Sequence, residues 1–351
     1  MSYFRLDAED LVVSADAAVQ PLWSSGNVTQ SVFYTSSTQA SSTQGNYYLS
    51  VYDGNPTTNA TASVQFDITF GDVNGSGSAP YNSLVVGASP TRTIYGQYRN
   101  LIFGDENSSF TFTVNGQSAV TSSNFWVINF NRTNYKEHLF PGSLNLTLTS
   151  GSTNTVQLTD NSRDVTIDSF CDAGRIYDIV SGTNGSAFNQ GFPGVTAGFT
   201  KSGSYGYFLP DIDTILLNPL ALGLPTADGG IEAVVDLTNS QNPPNSLNFQ
   251  NMFQYISGAG HFQIQSEETI TSDYVFCRVR NSQANYSVNP SFISSSTGEI
   301  LDPVLINSPE VYITAVGMYN DSNELLAVAK LSRPLRKDFT KEALIRVKLD
   351  F

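Results

Sequence analysis

Along most of this chain apolar and polar residues alternate with a period of two. That is the spacing of extended strands, whose successive side chains point to opposite faces. Val64, Phe66, Ile68 and Phe70 alternate with Gln65, Asp67 and Thr69, which predicts a half-buried strand. Shorter runs predict strands at 47–52, 110–114, 125–130, 144–149, 156–158, 175–180, 212–217, 262–264 and 274–279. Turn residues punctuate them at Ser24-Ser25-Gly26, Asn115-Gly116 and 150–154. The best helical period lies at 245–256, where Phe249, Met252, Phe253 and Ile256 share a face and Gly258 can end the helix. The segment 94–103 fits a short helix or a strand. The glycine-rich 181–206 reads as a surface loop, and 219–244 as a loop around one apolar run.

The end of the chain has the clearest pattern. Val311, Ile313, Ala315 and Gly317 alternate with Tyr312, Thr314, Val316 and Met318, apolar on both faces, as for a strand covered on both sides. Asn320-Asp321-Ser322-Asn323 supplies a turn, and 325–331 returns as a second strand, so 311–331 predicts a hairpin. Arg333-Pro334 is expected to stop it, because proline cannot donate to a ladder. Ala343, Ile345, Val347 and Leu349 then alternate with Leu344, Arg346, Lys348 and Asp350 as a last strand.

The expected fold is therefore all-β, mainly antiparallel sandwich or barrel-like domains, with about one short helix. No repeat of fixed period points to a β-helix or propeller. At 351 residues the chain can hold two domains. They are expected at 1–160 and at 161–351, the second with a loop-rich insertion near 181–260.

Composition narrows the role. Charged residues make up 14% of the chain, well below the roughly 25% of ordinary soluble domains. Ser, Thr, Asn and Gly fill the gap, which suits long-lived extracellular or virion β-proteins. The net charge of −14 argues against nucleic acid, whose phosphates need clustered Lys and Arg. The one basic cluster is terminal: residues 330–351 hold seven basic against three acidic side chains. Arg333, Arg336, Lys337, Lys341, Arg346 and Lys348 are the candidate protein–protein contact, docking on the acidic body of a neighbour. The alternative is that these charges guard an exposed edge strand from aggregation. The sequence predicts no signal peptide and no membrane span. Cys171 and Cys277 lack the spacing of a zinc site and read as free thiols, with a disulfide as the alternative.

Candidate chemistry is sparse. His138 and His261 are the only histidines, neither stands near a nucleophile signature, and both read as surface residues. Carboxylate pairs that could cleave glycans are Asp211 with Asp213, Glu267 with Glu268, and Asp105 with Glu106. Asp72-Val73-Asn74-Gly75-Ser76-Gly77 opens like a calcium loop, but Ser83 stands where a bidentate Glu is needed, so a plain turn is expected. No catalytic residue, cofactor or metal is assigned.

Four stretches carry a family resemblance: Arg92–Arg99, Phe140–Leu148, Gly203–Asp211, and Tyr319–Leu331 with Lys341–Leu349. Together they resemble virion structural proteins of large tailed bacteriophages, especially contractile-tailed, baseplate-associated ones. The resemblance implies a structural subunit in the virion, assembled in the host cytoplasm. Its partners would be other virion proteins and copies of itself, without enzymatic activity. The alternative is a glycan-binding or glycan-cleaving module at the tail tip, whose tyrosines would line sugar sites.

Overall fold

The computed structural model describes residues 4–21, 27–36, 47–77, 90–114, 117–134, 137–166, 168–188, 198–237 and 248–350. The expected turns at 24–26 and 115–116 lie outside them. The chain forms two compact units, Gln20–Glu268 and Met1–Val19 with Thr269–Phe351. The contacts do not follow the expected division at 160/161. Thr159 pairs with Val180 and Asp160 with Ile179, so both sides of that position share one sheet.

The fold is all-β as the alternation predicts, and every strand pair with a resolved register is antiparallel. In the larger unit hydrogen-bonded strands run in the order 262–268 (the start of strand Phe262–Val279), Asn145–Ser150, Asn154–Asp160, Gly174–Thr183, Gly206–Leu209, Thr214–Leu217, Asn124–Phe130, Val64–Asp72 and Tyr48–Tyr52. The sheet curls until distant members touch. Phe262 lies 5.4 Å from both Phe66 and Phe130, ring centroid to centroid. This is the barrel-like closure that gives a long sheet an interior.

Strand Asn124–Phe130 is apolar at consecutive positions because it is covered on both faces. Trp126, Ile128 and Phe130 join the interior with Phe66, Ile215 and Leu217. Phe125 and Val127 point the other way, against Tyr95 and Tyr98 of helix Pro90–Phe103. The undecided segment 94–103 thus belongs to a helix, ended by Gly104 at φ +65°. Its signal was a glycine at the C-terminal boundary beyond apolar residues three and four apart. The expected helix at 245–256 is observed as Asn248–Ala259, buries Phe249, Met252 and Ile256, and runs through Gly258 to end at Gly260. Among the described residues these two helices are the long ones, in keeping with an all-β fold that has few helices.

The region expected as a loop-rich insertion holds the middle of the sheet. Strands Gly206–Leu209 and Thr214–Leu217 are buried at every position. Tyr205 is enclosed and donates its hydroxyl to Gly229 O at 2.7 Å. A Cβ at Gly206 would strike the Leu216 carbonyl, so glycine is required by the close approach of two strands.

In the smaller unit, Ala343–Asp350 pairs through eight residues with the end of Phe262–Val279. The predicted separate strands at 262–264 and 274–279 are parts of this one 18-residue strand. The last strand buries Ala343 and Ile345 and exposes Leu344 and Arg346, as its alternation predicts.

Candidate assembly surface

The terminal hairpin is present, but its surroundings differ from the expectation. Val311–Tyr319 and Leu325–Lys337 form a separate two-stranded sheet, here called the arm. Its turn is closed by Asn320, whose side chain accepts from Glu324 N at 2.8 Å, and by Asn323 at φ +62°. Pro334 does not end the second strand. It sits in a bulge between the pairs Ile313↔Leu335 and Ala315↔Lys330, where no ladder hydrogen bond is asked of it.

Apolar residues on both faces predicted a covered strand; the arm is largely uncovered. Val311 is buried, but Tyr312 is 58% exposed, Leu326 61% and Val328 56%, and Met318, Tyr319 and Leu325 are also exposed. Nearby in sequence Leu301, Val304 and Ile306 are exposed as well. This unit buries one small cluster, Phe292, Ile293 and Val311 with Ile300 and Leu305 against them, and, outside it, Cys277, Val279, Ala343 and Ile345.

The six basic residues do not form one free surface. Lys337 is fully buried and donates to Asn281 O, Asn285 Oδ1 and Asp338 O, each at 2.9 Å. Burial pulls its ammonium below the usual lysine range, against the pull of Asp338 and Glu342. It ties the base of the arm and is removed from the candidate contact. Arg336 is exposed and bonds Glu310 at 2.8 Å. Lys348 bonds Asp350 at 2.8 Å, and the Arg346 guanidinium lies 5.5 Å from the Tyr274 ring centroid. Arg333 and Lys341 are exposed. Arg333 shares the outer strand of the arm with Lys330.

The carboxylates singled out for chemistry meet in a different place, within the larger unit. Arg175 bonds Asp211 through Nε at 2.9 Å and reaches both oxygens of Glu267 with its terminal nitrogens. Burial works against the charge on Asp211, yet these bonds prevail and hold its carboxyl below the usual range. Asp213, left-handed at φ +54°, is pushed up by burial, partly offset by Arg132 at 3.1 Å. His138 is half-buried in strand His138–Leu139, opposite Glu267, and not on the open surface as expected. Gly174 permits the packing, since a Cβ there would strike Asp211. The expected Asp211/Asp213 pair is thereby split: Arg175 occupies one carboxylate and Arg132 the other. Arg175 thus bonds Asp211 and both oxygens of Glu267, whereas Asp213 Oδ1 is buried without a hydrogen-bond partner. Glu268 and the pair Asp105/Glu106 stand apart from these groups.

Two smaller expectations hold. Cys171 and Cys277 are free thiols. Asp72 accepts from Asn74 N and Ser76 N, the pattern of an Asx turn. A cavity of about 250 Å³ in the larger unit has Asn145, Gln157, Asn184, His261 and Gln263 among its lining residues.

No family model, curated protein or solved structure matches this chain.

Proposed function

We propose that this chain is a structural subunit of a larger particle, a phage virion of the kind its sequence resembles, acting through protein–protein contacts of its arm. The observation that carries this reading is the arm itself: a separate two-stranded sheet with apolar side chains exposed on both faces. A ribbon of two strands is marginal in water, and contiguous exposed apolar surface marks a binding site. Its partners would be other virion proteins and further copies of the chain.

The test leaves the body of the protein alone. Deleting 333–351 would remove Lys337 and the strand Ala343–Asp350, and so damage the smaller unit. The double substitution Leu326→Asp/Val328→Asp changes exposed side chains only. Particles assembled with this variant are expected to lack the chain, as read by mass spectrometry of purified particles, while the free variant stays soluble and folded. Incorporation equal to wild type would sink the reading.

The cavity favours a second reading, a glycan-binding module. Its neutral amides and imidazole offer donors and acceptors suited to sugar hydroxyls. A glycan array with wild type and Asn184→Ala discriminates. Binding lost in the variant supports this reading, and no binding by wild type removes it.

A further inference from the structure

The smaller unit holds a group of carboxylates that the proposed assembly role does not use. Ligand oxygens of Asp7, Glu9 and Asp10 lie within 4.8 Å of one another. Asp7 and Glu9 are exposed, whereas Asp10 is only 2% exposed. Arg280 answers part of this charge. Its Nε donates to Asp10 Oδ1 at 3.0 Å, and a terminal nitrogen donates to Glu9 Oε1. Three carboxylates against one guanidinium still leave two negative charges.

The decisive atom is Asp10 Oδ2. It is buried and has no hydrogen-bond partner. Burying an anionic oxygen without a partner is strongly unfavourable, so such an atom in a folded chain calls for a ligand. Asp7 points to the same place. It stands at the cap of the short 3-10 turn Ala8–Asp10, yet its side chain makes no cap hydrogen bond. An unmet buried oxygen, a carboxylate that caps nothing and a surplus of negative charge thus coincide.

We infer that Asp7, Glu9 and Asp10 bind a calcium ion, with Asp10 supplying the buried ligand and Arg280 holding Glu9 and Asp10 in position. The donor set selects the ion. All three donors are carboxylate oxygens with no His or Cys among them, which suits a hard cation and not zinc. Its two positive charges match the surplus. Two calcium–oxygen bonds of about 2.3–2.6 Å each span oxygens spread over this distance, whereas magnesium has bonds of about 2.0–2.1 Å and demands a near-ideal octahedron. Exposed Asp7 and Glu9 leave room for water to complete the shell. The ion would fasten the opening segment of the unit to the residue that follows strand Phe262–Val279.

The test is calorimetric titration of the full-length chain, stripped with EDTA, with calcium chloride in about 0.15 M salt, which screens diffuse binding to an acidic surface. One saturable site is expected, with Kd of about 0.1–1 mM, as in extracellular calcium modules. Asp7→Asn/Glu9→Gln changes exposed side chains only and should weaken binding about tenfold or more. Asp10→Asn should do the same; if circular dichroism shows that it unfolds, the exposed pair still decides. In wild type, calcium should slow amide exchange at 7–12 and 280–285. No saturable binding below about 10 mM calcium overturns the inference. So does equal affinity in the Asp7→Asn/Glu9→Gln variant, which would put the ion elsewhere, and equal affinity for magnesium, which would refute the choice of ion. None of these results touches the arm, so this inference and the assembly reading fail separately.

Discussion

In the larger unit Trp126, Tyr205 and nine phenylalanines are enclosed, stacked between a curled sheet and two helices. The smaller unit buries Phe292, Ile293 and Val311 in one cluster and Cys277, Val279, Ala343 and Ile345 outside it, and leaves Leu326, Val328, Val304 and Ile306 in solvent. Both are built from strands of alternating residues. The difference lies in what covers the second face. In one unit, helices and the opposite side of the sheet do so. In the other, nothing among the described residues covers the arm. Charge differs as well: the larger unit holds seven basic against eighteen acidic residues, the smaller ten against thirteen. A unit with a small core and exposed apolar strands gains stability when another molecule covers them. That is the physical case for reading one unit as a self-sufficient body and the other as a connector.

The comparison can be broken at its strongest point first. Trp126 is fully buried, donates Nε1 to Asn248 O at 2.8 Å and lies edge-on to Phe70 and Tyr255. Trp126→Ala should cost the larger unit about 3–5 kcal/mol in chemical denaturation. A loss under about 1 kcal/mol would mean that this core is not what holds the unit.

Arg175→Met strands Asp211 and Glu267 without their cation and should cost roughly 3 kcal/mol. It should also change the acid limb. Asp211 is held below its unfolded value, so its contribution is present above the unfolded pKa and is lost as pH falls through the folded one. Without Arg175 that acid-labile contribution should vanish, which denaturation between neutral pH and pH 3 would reveal. An unchanged pH profile would show that the network does not stabilise the unit.

Lys337→Ala removes three hydrogen bonds made by a buried ammonium, for about 2 kcal/mol in the smaller unit. Arg333→Ala, made at an exposed residue of the same strand, should change stability by less than about 0.5 kcal/mol. Equal losses would erase the distinction between a structural lysine and a surface arginine. The smallest effect is expected from Leu326→Ser, within about 0.5 kcal/mol for the isolated chain, because the side chain already meets water. A clear loss in dilute solution would show that the arm is covered within its own chain.

Legibility followed the covering of faces. Val64–Asp72, Asn145–Ser150 with Asn154–Asp160, and Ala343–Asp350 were readable because one face of each is drier than the other. The strand at 212–217 was legible, but Gly206–Leu209 was missed at the end of the expected loop 181–206, because Gly206 serves close strand approach while glycine ordinarily marks loops. Of the candidate contact, the arm was legible as a hairpin. Lys337 was not separable from Arg336, since alternation says which side a residue faces and not what waits there.

The sequence by itself determined the class of fold and the hairpin at the end of the chain, because these depend on local period and composition. Only the tertiary structure decided that Asp211 and Glu267 share Arg175 across the 55 residues of chain between them, that the interior glycines lie in a sheet, and that the two-faced apolar arm stands uncovered among the described residues. Period reports how many faces of a strand are apolar. Whether an apolar face is buried depends on segments brought to it from elsewhere, and for the arm the chain brings none among those described.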